Sequence, residues 1–309
     1  MSSPKTKLVY ILASRYSGST LLSFVLGTHP EIATIGELKK IHAKMIAQHG
    51  SAKHCSCGKL FLECDFWLQI LNNLQSKYQD ENFNADFSQF EFFRNKRFNQ
   101  VFFRFCLWLS PTAHRFAFFN SYLQQKLSKF LDYNYNVIKT VNQNSGKSIF
   151  LDSSKPLKNL LYLSLDKRYE LYVLHLIRDP RGQINSCLKY NKWTLRKATK
   201  KWIQTLETQL IFLTKSRLKY KTILYEEFCK NPEDKLQELK DFIGLSTHFE
   251  LTNFRKGEQH IMGNHYMRLG KTTEIKERLD WLESFSEQEH SYIKARTNKY
   301  QKYYTTSVS

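Results

Sequence analysis

Apolar residues along this chain fall into two kinds of run. Five short segments, residues 7–13, 32–35, 148–152, 170–177 and 221–224, carry aliphatic and aromatic side chains mostly at consecutive positions. Strict alternation would mark strands wet on one face, whereas consecutive apolar positions predict strands covered on both. Between them, apolar residues recur three and four apart and predict helices over 20–27, 156–165, 181–188 and 195–214. Strand followed by helix, repeated, predicts an α/β protein with a central parallel sheet flanked by helices. Ligands of such sheets bind at the carboxyl ends of the strands. An amphipathic helix over 232–244 (Leu236, Leu239, Phe242, Ile243) and a polar one over 286–299 complete the pattern.

One region breaks the alternation. Residues 38–147 lack strong strand signals and are rich in Phe, Asn, Gln and Lys, with Phe98, Val101, Phe102, Phe105 and Leu109 at helical spacing. They read as a helical insertion covering the sheet edge or the mouth of a ligand site. Core packing is the expected role of the aromatic stripe, and a lid or an apolar acceptor surface is the alternative. No repeat or low-complexity tract divides the chain, so residues 1–309 read as one domain.

Composition narrows the partners. The 309 residues carry 47 Lys+Arg against 28 Asp+Glu, a net charge of +19, which favours anionic ligands by long-range steering. The basic residues are dispersed, with runs no denser than Lys39-Lys40 or Lys200-Lys201, unlike a nucleic-acid-binding tail. The first strand begins within about seven residues, too early for a signal peptide. No apolar stretch approaches the roughly 20 residues of a membrane span. A cytoplasmic enzyme is the expectation. Six cysteines in so long a chain do not suggest a disulfide scaffold.

Residues 8–22, LVYILASRYSGSTLL, carry the sharpest signal. A strand, a Ser/Gly loop over 14–19 and a helix opening at Thr20 aim backbone N–H groups and the positive helix end at one point. That arrangement binds phosphate or sulfate without a metal. The segment nearly fits the phosphate-loop pattern G-x-x-x-x-G-K-[ST], but Ala13 replaces the first Gly and Ser19 the Lys. In nucleotide hydrolases that lysine reaches the β/γ-phosphates, and here Arg15 is the cation instead. An anion site follows, and an ordinary ATP site does not.

A second anion site is expected at residues 175–186, HLIRDPRGQINS. Arg178 ends a buried strand, where its fork can grip a phosphate bidentately, and Ser186 in the next helix can add a hydroxyl. Taken alone, the segment reads equally well as an Arg–Asp surface pair at a strand exit.

Together the two segments resemble the sulfotransferases that use 3′-phosphoadenosine-5′-phosphosulfate (PAPS), in pattern nearest to bacterial and tyrosylprotein members. Arg15–Leu21 resembles the family's R-[ST]-G-[ST]-[ST]-L loop with Tyr16 in the place of an insertion. Arg178 and Ser186 match its 3′-phosphate motif. Thr28-His29-Pro30, Gly36-Glu37, Asp152-Ser153-Ser154-Lys155, Leu224-Tyr225-Glu226-Glu227 with Asn231-Pro232-Glu233, and His260, Gly263-Asn264 and Arg268 resemble further family segments in order. His265 stands where the last motif usually has Pro, and the 60s to 140s align with nothing in the family.

The resemblance implies a phosphate-loop fold and transfer of a sulfuryl group from PAPS to a hydroxyl or amine, releasing 3′,5′-phosphoadenosine (PAP), with no metal required. Arg15, Tyr16, Ser17, Gly18, Ser19, Thr20 and Leu21 would hold the 5′-phosphate and the leaving oxygen. Lys155 would neutralise charge on that oxygen, and Glu37 would act as general base, unless it merely stabilises a helix N-terminus. Tyr225 would contact the adenine, and Gly263, Asn264 and Arg268 would close over the 3′-phosphate. The acceptor stays open among carbohydrate, lipid headgroup, small alcohol or phenol, and peptide tyrosine. A phosphate-loop kinase or hydrolase, and a basic protein binding nucleic acid or anionic surfaces, are the competing readings.

Cys55, Cys57 and Cys64 with His54 invite a zinc reading. The spacing C-x-C-x₆-C lacks the usual C-x₂-C pairs, and a fourth ligand would be His54 or come from afar. Packing or free thiols are the expectation.

Overall fold

The strands β1 (Thr6–Ala13), β2 (Ile32–Gly36), β3 (Ile149–Lys155), β4 (Tyr169–Ile177) and β5 (Lys219–Leu224) form one sheet in the order β2-β3-β1-β4-β5. Every neighbouring pair is parallel. The computed structural model describes residues 4–41, 54–78, 121–249, 253–255 and 259–305.

Consecutive apolar positions have the meaning the sequence assigned them. Leu8, Tyr10 and Leu12 of β1 enter one hydrophobic layer with Phe150, Leu160 and Trp67, while Val9, Ile11 and Ala13 enter the opposite layer with Phe24, Val25 and Ile149. All five residues from Leu8 to Leu12 are fully buried. Each such side chain stabilises the fold by roughly 1.5–3 kcal/mol relative to exposure. Helices Leu157–Leu163, Pro180–Asn191, Leu195–Lys215, Pro232–Ile243 and Glu287–Thr297 fall where predicted. The last is fixed by a capping box between Ser286 and Glu289.

The main difference is at the end of β3, which runs three residues further than predicted, through Ser153, Ser154 and Lys155. Ser154 is polar but fully buried, because its N–H and Oγ both donate to the carboxylate of Asp152, at 2.8 and 2.5 Å. Within 38–147 the described residues are helical, with helices Asp65–Lys77 and Ser121–Ser145, two short 3₁₀ turns and one bridge between His54 and Leu60. Trp67, Ile70, Leu74, Phe130 and Val137 from these helices complete the layer beneath β1 and β3. The stripe from Phe98 to Leu109 lies outside the described residues. Among those described, no helix is long and apolar enough to cross a membrane.

β1 lies between β3 and β4, and the chain leaves it toward β2 on one side and reaches β4 on the other. This is the reversal of strand order at which α/β sheets open a crevice. The carboxyl ends of all five strands deliver expected site residues: the loop after β1, Glu37 after β2, Lys155 ending β3, Arg178 after β4 and Tyr225 after β5.

Candidate active site

After Ala13 the chain turns through Tyr16 (φ 60°) and Gly18 (φ 89°) before helix α1 (Ser19–Gly27) begins. Left-handed residues on both sides of Ser17 bend the backbone into a concavity lined by N–H groups, the geometry that cradles anions. Gly18 caps α1 with no side chain, so no side chain competes for the N–H groups of the first turn. Only glycine fits there, since a Cβ would overlap the Tyr225 ring. Ser17 Oγ is buried and has no partner among the described residues. A buried hydroxyl stays unsatisfied only at a cost, and an anion in the concavity would remove it. The loop therefore fits a phosphate or sulfate group.

Arg178 joins the second segment to the first. Its Nη1 donates to Tyr16 O at 2.9 Å, its Nη2 to Arg278 O at 3.3 Å, and its guanidinium lies 4.8 Å from the centre of the Tyr225 ring. Asp179 pairs with Arg181, at 2.6 Å, and caps the following helix by accepting from Arg181 N. The Arg–Asp pair that the sequence also allowed at this strand exit thus forms through Arg181 and leaves Arg178 to the loop. Ser186 Oγ donates to Gly182 O at 3.0 Å, and a Cβ on Gly182 would lie 3.0 Å from Arg178 Nη2. Arg178 and Ser186 accordingly flank one turn of helix, while Arg15 stays exposed at the loop's outer edge.

Behind Arg178, Glu226 Oε1 accepts from Asp179 N at 3.0 Å, and burial pushes the Glu226 carboxyl up to about 7. A carboxyl raised on folding contributes stability that is complete below its unfolded value, about 4.3, and is lost as pH rises through its folded value. Glu226→Gln keeps the acceptor for Asp179 and removes the buried charge. The variant is expected to match wild type near pH 5 and to melt about 2 °C or more above it near pH 8. Thermal unfolding followed by circular dichroism at both pH values checks this, and a pH-independent difference would refute it.

On the other side of the crevice, Lys155 Nζ donates to Glu37 Oε1 at 2.6 Å. Glu37 is 4% exposed, and Lys155 has a left-handed backbone, φ 79°, a strain of order 1–3 kcal/mol for a residue with a Cβ. Asp152 sets both groups. Its Oδ1 accepts from Leu38 N at 3.2 Å, directly after Glu37, and from both donors of Ser154, directly before Lys155. Burial pushes the Asp152 carboxyl up to about 6, against the pull of those hydrogen bonds. The sequence named Asp152 only as part of a motif. Its role is that of a positioning residue, signalled by a lone acid ending an apolar strand.

The strap 259–264 closes over the start of α1. Met262 N donates to Ile35 O at 2.7 Å, and Asn264 N to Thr20 Oγ1 at 3.1 Å. Gly36 (φ 76°) must be glycine, because a Cβ would overlap the backbone of Met262. Gly263 and Asn264 therefore abut Thr20. Arg268 is buried with Cys55 and Glu37 as the groups that oppose the desolvation of its charge. These contacts are with the start of α1 and with Glu37 and Cys55. A further segment, 276–281, packs against Arg178: Tyr225 Oη donates to Lys276 O at 3.4 Å, Arg278 O accepts from Arg178, and Trp281 lies under the Arg181 guanidinium at 4.3 Å. Tyr225 braces the loop and Arg178. Residues 276–281, a mostly polar stretch without periodicity, carried no signal in the sequence.

The model of the sulfotransferase family matches residues 9–249, more than three quarters of the chain, from within β1 to past β5. The chain belongs to the sulfotransferase family. Among solved structures, this sulfotransferase is similar to the sulfotransferase domain from the curacin biosynthetic pathway, at 16% identity and a TM-score of 0.50, over 96% of this chain and 99% of that one. That likeness shows the shared fold. The sulfotransferase domain of the Synechococcus PCC 7002 olefin synthase is also similar, at 16% identity and a TM-score of 0.46, over 100% of this chain and 91% of that one. No curated protein sequence matches the chain. Family membership makes the enzyme a sulfuryl transferase and disfavours the kinase and nucleic-acid-binding readings.

Proposed function

We propose that this sulfotransferase transfers the sulfuryl group of PAPS to an acceptor hydroxyl or amine by in-line displacement, releasing PAP. The observation that carries the reading is the hydrogen bond from Arg178 to the carbonyl of Tyr16, at 2.9 Å. It holds the two anion-binding segments side by side, as one bisphosphorylated nucleoside requires. PAPS supplies an activated sulfuryl group on a phosphate leaving group. The N–H groups of residues 17–21, with Ser17, Ser19 and Thr20, hold its 5′ end, while Arg178 and Ser186 hold the 3′-phosphate. Lys155 stabilises charge at the departing oxygen, and Glu37 takes the acceptor's proton. Because transfer is mostly positioning and charge stabilisation, a rigid crevice with paired Glu37 and Lys155 is suited to it. The absence of a lysine at Ser19 argues against nucleoside triphosphate hydrolysis.

Titration calorimetry with PAP tests the reading, followed by labelled PAPS with a panel of sugars, phenols, alcohols and tyrosine peptides. Saturable PAP binding at one site per chain, and label moving to at least one acceptor class, are expected. No heat with PAP, together with magnesium-dependent ATP turnover, would overturn it.

A further inference from the structure

Three cysteines and one histidine converge outside the crevice. Cys55 and Cys57 lie on a tight turn bracketed by the His54–Leu60 bridge. Cys55 N donates to Lys59 O at 2.9 Å, Gly58 N to Cys55 O at 3.1 Å, and Gly58 is left-handed at φ 92°. The 3₁₀ turn Phe61–Glu63 then delivers Cys64, at the N-cap of helix Asp65–Lys77. The fourth member, His260, arrives from the strap, far along the chain. The sequence left the fourth ligand open between His54 and a residue from afar, and the fold brings His260 from afar.

Distances decide what this cluster is. The three Sγ atoms and one ring nitrogen of His260 all lie within 4.8 Å of one another. Cys55 Sγ and Cys64 Sγ are 3.4 and 3.3 Å from the same atom, His260 Nδ1, and Cys57 Sγ is 3.7 Å from Cys64 Sγ. A tetrahedral zinc ion, with Zn–S about 2.3 Å and Zn–N about 2.0–2.1 Å, sets its ligands about 3.8 Å apart between sulfurs and about 3.6 Å between sulfur and nitrogen. These three edges agree with that figure to within about 0.3 Å, and the others lie within 4.8 Å, close enough for small side-chain rotations to close the tetrahedron. Hydrogen bonding explains them poorly, because one imidazole nitrogen makes one hydrogen bond and here faces two thiols. A disulfide explains them no better, since the sulfurs of Cys57 and Cys64 are far beyond the roughly 2.05 Å of an S–S bond.

The surroundings are built for a fixed ion. Cys55 is 0%, Cys64 1% and His260 7% exposed. The Phe66 ring stacks on His260 at 4.1 Å and 5°. Ser56 Oγ accepts from Ile261 N at 2.7 Å and donates to Gln259 O, so the turn grips the strap on both sides of His260.

We propose that Cys55, Cys57, Cys64 and His260 bind a structural zinc ion. Four protein ligands close the tetrahedron and leave no position for water or substrate, so the ion has a structural and not a catalytic role. Binding converts three thiols to thiolates and releases their protons to solvent, giving a centre of net charge −1 next to the buried guanidinium of Arg268. The ion ties the 55–64 loop to the strap whose Met262 and Asn264 rest on Ile35 and Thr20. It thereby stiffens one wall of the crevice, whichever donor the crevice takes.

The test is metal content. Protein purified without chelators or immobilised metal is expected to carry one zinc ion per chain by elemental analysis and native mass spectrometry. Cobalt(II) in its place should give thiolate-to-metal charge transfer and tetrahedral d–d bands. Cys64→Ser and His260→Ala should each lower zinc retention against a chromogenic chelator by about tenfold or more, while Cys187→Ser, outside the cluster, retains it. Should the single variants fail to fold, stoichiometry and the cobalt spectrum of the wild-type chain decide alone. Purified and zinc-reconstituted protein holding only trace metal would overturn the proposal. So would an intact mass two hydrogens low with Cys57 and Cys64 linked, or full zinc retention in a folded Cys64→Ser/His260→Ala double variant.

Discussion

Arg178→Ala is expected to weaken PAP binding by about 10²–10⁴-fold, with the fold retained. Two charge-assisted hydrogen bonds at roughly 1.5–3 kcal/mol each set that scale. The side chain is anchored on the carbonyls of Tyr16 and Arg278, so its loss also slackens the loop, and kcat/KM should fall at least as far as affinity. Arg178→Lys separates charge from shape: the ammonium keeps attraction to a phosphate but not the planar fork, and an intermediate loss of about tenfold is expected. Titration calorimetry with PAP and initial rates on the same preparations give both numbers. Wild-type affinity in a folded Arg178→Ala protein would refute the placement of the nucleotide.

Lys155→Ala is expected to lower kcat by about 10²–10³-fold, the scale seen when one preorganised donor is removed from a developing charge. The substitution also leaves the buried Glu37 carboxylate short of its cation, at 2.6 Å in the intact protein, and should cost about 1–3 kcal/mol of stability. Two causes of lost activity would then be mixed. Glu37→Gln combined with Lys155→Met removes both charges and should regain most of that stability while remaining as inactive as the worse single variant. Urea denaturation and single-turnover rates for the two singles and the double provide the cycle. Recovery of activity along with stability would mean that the pair is architecture and not chemistry.

The readable parts of this protein are those where one local constraint dominates. Strands covered on both faces must be apolar throughout, which is why Leu8–Leu12 announced β1. The loop between β1 and α1 was equally plain, because the left-handed turn into the helix at Gly18 calls for glycine. What stayed hidden depends on partners distant in sequence. His260 meets Cys55 and Cys64 across 205 and 196 residues, and no spacing rule links them. The stretch 276–281 covers Arg178 through backbone carbonyls, which any side chains could accompany. Ser154 looked to lie beyond the strand predicted over 148–152, yet two bonds to Asp152 make it interior. Arg268 illustrates a further limit. A motif can be recognised in order along the chain without revealing that its arginine is buried beside Glu37 and Cys55.

The bond from Asn264 to Thr20 spans 244 residues. On a ribosome, Thr20 waits while those 244 residues are made before its hydroxyl finds that donor. During this interval the opening of α1 lacks its cover, and contacts of such long range close slowly. Fragments ending ahead of the strap can assemble strands but not this wall. The wall beside α1 is thus completed only once the strap has emerged.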